Sequence, residues 1–133
     1  MVFEKGVKMK KTLIVLLFVI SVIIAACSSS SGYTRESIDA LAKCMTEKGV
    51  VEYGAFWCQN CAKQKKMFGS SYKYIKYIEC DPRGENEQAE LCIEKKVEKY
   101  PDWEFADKSR LVGVQEFEAL ATKSGCPAPV KVG

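Results

Sequence analysis

A single heptapeptide, Ala55-Phe56-Trp57-Cys58-Gln59-Asn60-Cys61, governs how the rest of the chain is read. Val50-Val51-Glu52-Tyr53 before it reads as a short strand. Ala62-Lys63-Gln64-Lys65-Lys66-Met67-Phe68 after it meets no helix breaker until Gly69. Cys58-X-X-Cys61 therefore sits where a strand turns into a helix, with Cys58 at the helix N-terminus. Unpaired backbone N–H groups and the positive end of the helix dipole favour a thiolate at such a place. A thiolate is the nucleophile of disulfide exchange, so two cysteines at this spacing can attack a partner and then resolve the mixed disulfide. The motif alone also fits half a zinc site or an inert structural bridge.

The N-terminus reads as a targeting segment. Lys5, Lys8, Lys10 and Lys11 form a positive region, and Leu13 to Ala26 is apolar apart from Ser21. That run is shorter than the ~20 residues of a spanning helix and has the form of a secretory signal. Met9 is an alternative start. The run closes with Ile24-Ala25-Ala26-Cys27, which resembles the lipobox of bacterial lipoproteins, with cleavage before Cys27 and lipid on its sulfur. Residues 1–26 are thus expected to be a lipoprotein signal peptide, 27–33 a flexible tether and 34–133 one folded domain. An uncleaved anchor with an incidental cysteine is the plainer alternative.

Charge and cysteine count narrow the class. Residues 1–26 hold four of the 20 Lys+Arg and one of the 17 Asp+Glu, so 16 of each remain and the mature part is neutral. The excess of +3 belongs to the signal and carries no argument for nucleic acid. The chain has no histidine, which excludes Cys–His and Ser–His hydrolysis. With Cys27 set aside for lipid, six of the seven cysteines remain: Cys44, Cys58, Cys61, Cys80, Cys92 and Cys126. An even number behind a secretory signal suits a compartment where disulfides persist; six cysteines allow about 15 connectivities.

The domain alternates elements. A helix is expected from a Thr34 cap through Lys48, with Ile38, Leu41, Ala42 and Met45 on one face and Gly49 as its stop. A strand over 50–55, a helix over 59–68 and a strand from Tyr74 to Glu79 follow. Asn86 to Val97 reads as a helix, Asp102–Phe105 and Arg110–Val112 as a hairpin, and Gln115 to Lys123 as a last helix before the Pro-rich tail. The order is α-β-α-β-α-β-β-α. Strands joined through helices are expected to run parallel, and the hairpin antiparallel.

That order, with C-x-x-C after the first strand, resembles the thioredoxin fold: α/β, a mixed four-stranded sheet flanked by helices. The likeness spans residues 34–126. Tyr100-Pro101-Asp102-Trp103 stands where the family has X-Pro-Thr, and the likeness implies a cis Pro101 facing the cysteines. Val112-Gly113 matches the family glycine before the last helix, and Glu52 stands where the family places a buried acid. A closer resemblance is to the thioredoxin-like domain fused to bacterial vitamin K epoxide reductase homologues. It rests on Leu41-Ala42-Lys43-Cys44, Tyr53-Gly54-Ala55-Phe56-Trp57-Cys58, Gln64-Lys65-Lys66-Met67-Phe68-Gly69, Glu79-Cys80-Asp81-Pro82 and Tyr100-Pro101. Those proteins oxidise thiols outside the cytosol and pass electrons to a quinone. No multi-helix membrane domain is present in this sequence, so a stand-alone, lipid-tethered version is expected.

The resemblance implies roles. Cys58 would attack, Cys61 would resolve, Pro101 would shape a substrate groove, and Tyr100 would offer backbone hydrogen bonds to an extended substrate. Glu52 would move protons at Cys61 if buried; an outward strand carboxylate is the alternative. Trp57 would pack beside the cysteines or simply in the core. Lys63, Lys65 and Lys66 add charge near the motif or form a solvated face. Two departures point to a milder couple: Gln59-Asn60 where relatives carry Pro-His, and Asp102 in place of Thr, whose carboxylate near the site would oppose a thiolate. Cys80 and Cys92 flank a short loop that a bridge could close, which leaves Cys44 with Cys126. The expected function is an extracytoplasmic, membrane-tethered thiol–disulfide oxidoreductase acting on protein dithiols. No cofactor or metal is expected, the protein is taken as a monomer, and a quinone-linked membrane oxidase is its expected partner. The direction of flow depends on the couple's potential against its partners. Two alternatives stand: a non-catalytic, disulfide-stapled binding lipoprotein, marked by a potential well below roughly −300 mV, and metal delivery through the Cys58/Cys61 dithiol.

Overall fold

The computed structural model describes residues 32–133. The expected signal peptide, the expected lipid attachment at Cys27 and most of the expected tether lie outside the described residues. Helix α1 (Arg35–Glu47) leads into strand β1 (Val51–Gly54) and helix α2 (Gln59–Phe68). A 3₁₀ helix (Gly69–Tyr74), strand β2 (Tyr77–Glu79) and the short helix α3 (Ala89–Glu94) follow. Strands β3 (Asp102–Glu104) and β4 (Arg110–Val112) form a hairpin before helix α4 (Phe117–Ser124). The sheet order is β2-β1-β3-β4. This is a thioredoxin-like α/β architecture: a mixed four-stranded sheet with helices on its faces.

Each face of the sheet has its own core, because strand side chains alternate between faces. On one face α1 buries Ile38, Leu41, Ala42 and Met45 against Phe68, Trp103, Phe105, Phe117 and Leu120. Trp103 is fully buried, and Phe68 meets Phe117 edge-on at 5.0 Å. Burying side chains of this kind stabilises by about 2 kcal/mol each. On the other face Val51, Tyr53 and Ile78 pack with Cys80 and Cys92.

Two bridges staple these layers. Cys44 on α1 is bonded to Cys126 beyond α4, and Cys80 after β2 is bonded to Cys92 in α3. They are the pairs that loop length and remainder named.

Several local expectations are corrected. β1 and β2 are parallel, but β3 runs antiparallel to β1 although a helix precedes it. The Cys80–Cys92 bond holds α3 against the end of β2, so the chain enters β3 beside the end of β1: Asp102 pairs with Tyr53. The strand expected from Tyr74 begins only at Tyr77, because the chain continues past Gly69 as a 3₁₀ helix that carries Tyr72 down to the sheet. The helix expected over 86–97 shrinks to Ala89–Glu94, bounded by the left-handed residues Asn86 (φ 52°) and Lys96 (φ 55°). Tyr33 belongs to the domain rather than to the tether. It bridges to Lys131, its hydroxyl donates to Glu118 Oε1 at 2.6 Å, and its ring packs on Phe117 at 5.3 Å. Among the described residues no helix is long and apolar enough to cross a membrane.

Candidate active site

Strand β1 delivers the chain to a tight turn, where Cys58 N–H donates to Ala55 O at 2.9 Å. Cys58 is the N-cap of α2, and its sulfur accepts from the Cys61 backbone N–H at 3.1 Å. That bond satisfies one of the orphan donors of a helix start with a sulfur instead of the usual oxygen. Cys58 and Cys61 are the free thiols among the described residues, 7% and 6% exposed. With Ala55 they form a small cluster against which Tyr100 packs. Tyr100-Pro101 is a cis peptide, and Pro101 is fully buried.

The two thiols differ. Burial pushes Cys61 up to about 12, reinforced by its hydrogen bond with Cys58 and opposed by one with the Ala55 backbone. A thiol so reluctant to ionise needs a base when it attacks. Glu52, whose charge acts on Cys61, is the carboxylate on β1 suited to that task. It is fully buried on β1, its Oε2 accepts from the Tyr72 hydroxyl at 2.9 Å, and its Oε1 has no partner. Burial raises it to about 7, against the opposing pull of Tyr72 and Lys65. The inward reading of Glu52 is the one the structure adopts.

A linkage consequence follows for Glu52. Its native value of about 7 lies above the ordinary 4.5 of a glutamate, so between these values the folded state holds the proton that the unfolded state has lost. Stability from this group is therefore complete below pH 4.5 and falls as pH rises to 7. In Glu52→Gln that fall is absent. Urea titrations are expected to show the variant gaining about 3 kcal/mol on the parent between acid and mildly alkaline pH. A gap that stays constant with pH would show that Glu52 ionises as freely as an exposed acid.

Trp57 is no core residue: it is 55% exposed, its Nε1–H donates to Asp81 Oδ2 at 2.6 Å, and its ring meets Tyr100 edge-on at 6.1 Å. Arg83 grips the same Asp81 at 2.8 Å and lies over the exposed Phe56 ring at 5.8 Å. Asp102 lies on the sheet face opposite Glu52, in the row of Tyr53, and pairs with Arg110 at 2.6 Å. The expected repulsion of a thiolate by Asp102 is thus corrected: the carboxylate is turned from the site and neutralised. Lys63, Lys65 and Lys66 are all exposed, and Lys65 also lies over the rings of Tyr72 and Tyr77 at 4.9 and 5.5 Å.

Sequence reasoning missed four contributors. Gln64, fully buried, clamps the start of α4: its Nε2 donates to Gln115 O at 3.1 Å and its Oε1 accepts from Gln115 N–H at 2.7 Å. Tyr72, Tyr77 and Glu79 surround the floor under Cys61. The signal for the last two was parity: 52 and 54 on β1 face the same way as 77 and 79 on β2.

No family profile matches the chain. The thiol-disulfide oxidoreductase LTO1 of Arabidopsis thaliana is 39% identical to it over 102 residues, which is 74% of this chain and 26% of that protein. The chain thus spans about a quarter of the length of the curated relative it matches. The helix-capping C-x-x-C after the first strand, the cis-proline just before β3 and this similarity support a place for the chain in the thioredoxin-like superfamily.

Proposed function

We propose that the chain is a thiol–disulfide oxidoreductase that works outside the cytosol, is held to a membrane by lipid on Cys27, and exchanges electrons with protein dithiols. One observation carries the redox reading. Four cysteines of the domain are bridged, while Cys58 and Cys61 remain free thiols, joined by an N–H···S bond at a helix N-terminus. The similarity to the thiol-disulfide oxidoreductase LTO1 supports it. The finer resemblance, to the domain fused to vitamin K epoxide reductase homologues, supports a quinone-linked membrane oxidase as partner. The lipobox-like Ile24-Ala25-Ala26-Cys27 supports the tether.

In this mechanism Cys58 sulfur attacks a substrate disulfide and forms a mixed disulfide, and one substrate sulfur leaves as thiolate. Cys61 then gives its proton to Glu52 and its sulfur bonds to Cys58, which releases the second substrate sulfur. The reverse sequence oxidises a substrate dithiol. Trp57 and Tyr100 flank the attacking sulfur, and Tyr100-Pro101 shapes the wall along which an extended substrate lies.

The test is trapping. Cys61→Ser expressed in the native host is expected to accumulate covalent adducts on Cys58 that a reductant releases, and their identity names the partner. If no adduct forms while the intact protein leaves a model dithiol peptide unchanged in both directions, the enzyme reading is lost. The same membrane extracts report the tether. Intact mass is expected to show a chain starting at Cys27 with acyl groups, and a chain starting unmodified at Met1 or Met9 would remove the anchor.

A further inference from the structure

The oxidoreductase reading uses one carboxylate beneath Cys61; the sheet supplies a second. Glu52 pairs with Tyr77 and Gly54 with Glu79 in the parallel register, so these four residues share one face. At Gly54 the missing side chain leaves a space that two others enter. A Cβ there would stand 3.0 Å from Cys61 Sγ, 2.8 Å from Tyr77 Cε2 and 3.1 Å from the Tyr77 hydroxyl oxygen. The sulfur and the phenol thus converge on the one spot that a Cβ at 54 would occupy.

The phenol is aimed. Its O–H donates to Glu79 Oε2 at 2.8 Å, which commits its hydrogen and leaves its lone pairs as acceptors. Glu79 is only 6% exposed and is itself fixed. Its Oε1 accepts from Asp81 N–H at 2.9 Å, and Gly84 packs so closely on it that a Cβ at 84 would overlap Glu79 Cγ. The other groups facing this gap are Glu52 on β1, Tyr72 from the 3₁₀ helix, Lys65 on α2, Tyr100 before β3, and Cys58.

We propose that Tyr77 and Glu79 are a positioning pair that gives the Cys61 proton a second exit, beside the one through Glu52; the proposal rests on the oxidoreductase reading above. As Cys61 resolves a mixed disulfide, its thiol proton passes to the Tyr77 oxygen, directly or through one water, and the Tyr77 proton passes to Glu79. The Cys61 sulfur bonds to Cys58, the bond from Cys58 to the substrate sulfur breaks, and that sulfur leaves with the electron pair as a thiolate. Glu79 later returns the proton to solvent. Burial holds the Tyr77 hydroxyl above the ordinary phenol range, so it transmits protons without itself staying ionised.

The experiment follows reduced full-length protein reacting with an aromatic disulfide that frees one coloured thiolate at the Cys58 attack and another at the Cys61 resolution. Tyr77→Phe keeps the ring in the gap without the hydroxyl. Glu79→Gln keeps an acceptor for Tyr77 without a proton-accepting carboxylate. Both are expected to slow the second release about tenfold near neutral pH and to leave the first within about twofold. The deficit should shrink as pH rises, since hydroxide then takes the Cys61 proton unaided. The proposal is overturned if either variant resolves like the parent, or if both phases slow equally at every pH. A parent chain with no second release would instead bring down the oxidoreductase reading itself, and this proposal with it.

Discussion

Cys58→Ser is expected to lose exchange with a dithiol peptide by roughly 10³-fold or more, because a serine hydroxyl neither ionises near neutrality nor forms a disulfide. The geometry makes the loss specific to Cys58. Its sulfur faces the turn after β1 and receives the Cys61 N–H, whereas the Cys61 sulfur lies over Gly54 and is pushed up to about 12 by burial. Cys61→Ser keeps the attacking sulfur and is expected to stall after the first step. The fold should survive both changes, since neither cysteine is bridged to the rest of the domain. The measurement is peptide oxidation and reduction by mass, with circular dichroism as the control on folding. Residual exchange within tenfold of the parent in folded Cys58→Ser would mean that another sulfur carries the reaction.

Removing the Cys44–Cys126 bridge by paired alanine substitution is expected to cost about 4 kcal/mol. The bond closes a sequence separation of 82 residues and ties α1 to the segment after α4. It therefore removes much freedom from the unfolded chain, and the loss should appear as a lower urea midpoint with a changed slope as the unfolded state expands. Cys80–Cys92 spans only 12 residues and should contribute less on the same entropy argument. Equal midpoints for the paired variant and the parent would show that the unfolded chain gains no net freedom when the bond is removed.

What the sequence disclosed and what it hid follow one physical line. The strand before Cys58, the helix after it and the apolar face of α1 read correctly because their causes are local: periodicity, caps and breakers within one turn. The residues that hold the site together answer to partners far along the chain. Tyr72 reaches Glu52 twenty positions away, and Gln64 reaches Gln115 across fifty-one. Nothing near Tyr72 announces that reach, so Tyr74 and its neighbours passed for strand on composition alone. Asp102 misled for the same reason: its chemistry was set by Arg110, which the hairpin register places opposite Glu104 and diagonal to Asp102. Asn86 and Lys96 bounded α3 through backbone conformations that their residue types do not demand.

Trp57 and Trp103 are the two tryptophans of the chain, and they stand at opposite extremes. One is 55% open to water beside Cys58; the other is fully enclosed between Phe68 and the rest of the core. The molecule therefore carries two optical reporters with separate subjects. Light from the solvated indole follows what happens beside the sulfur, including the arrival of a partner. Light from the enclosed indole follows whether the interior holds.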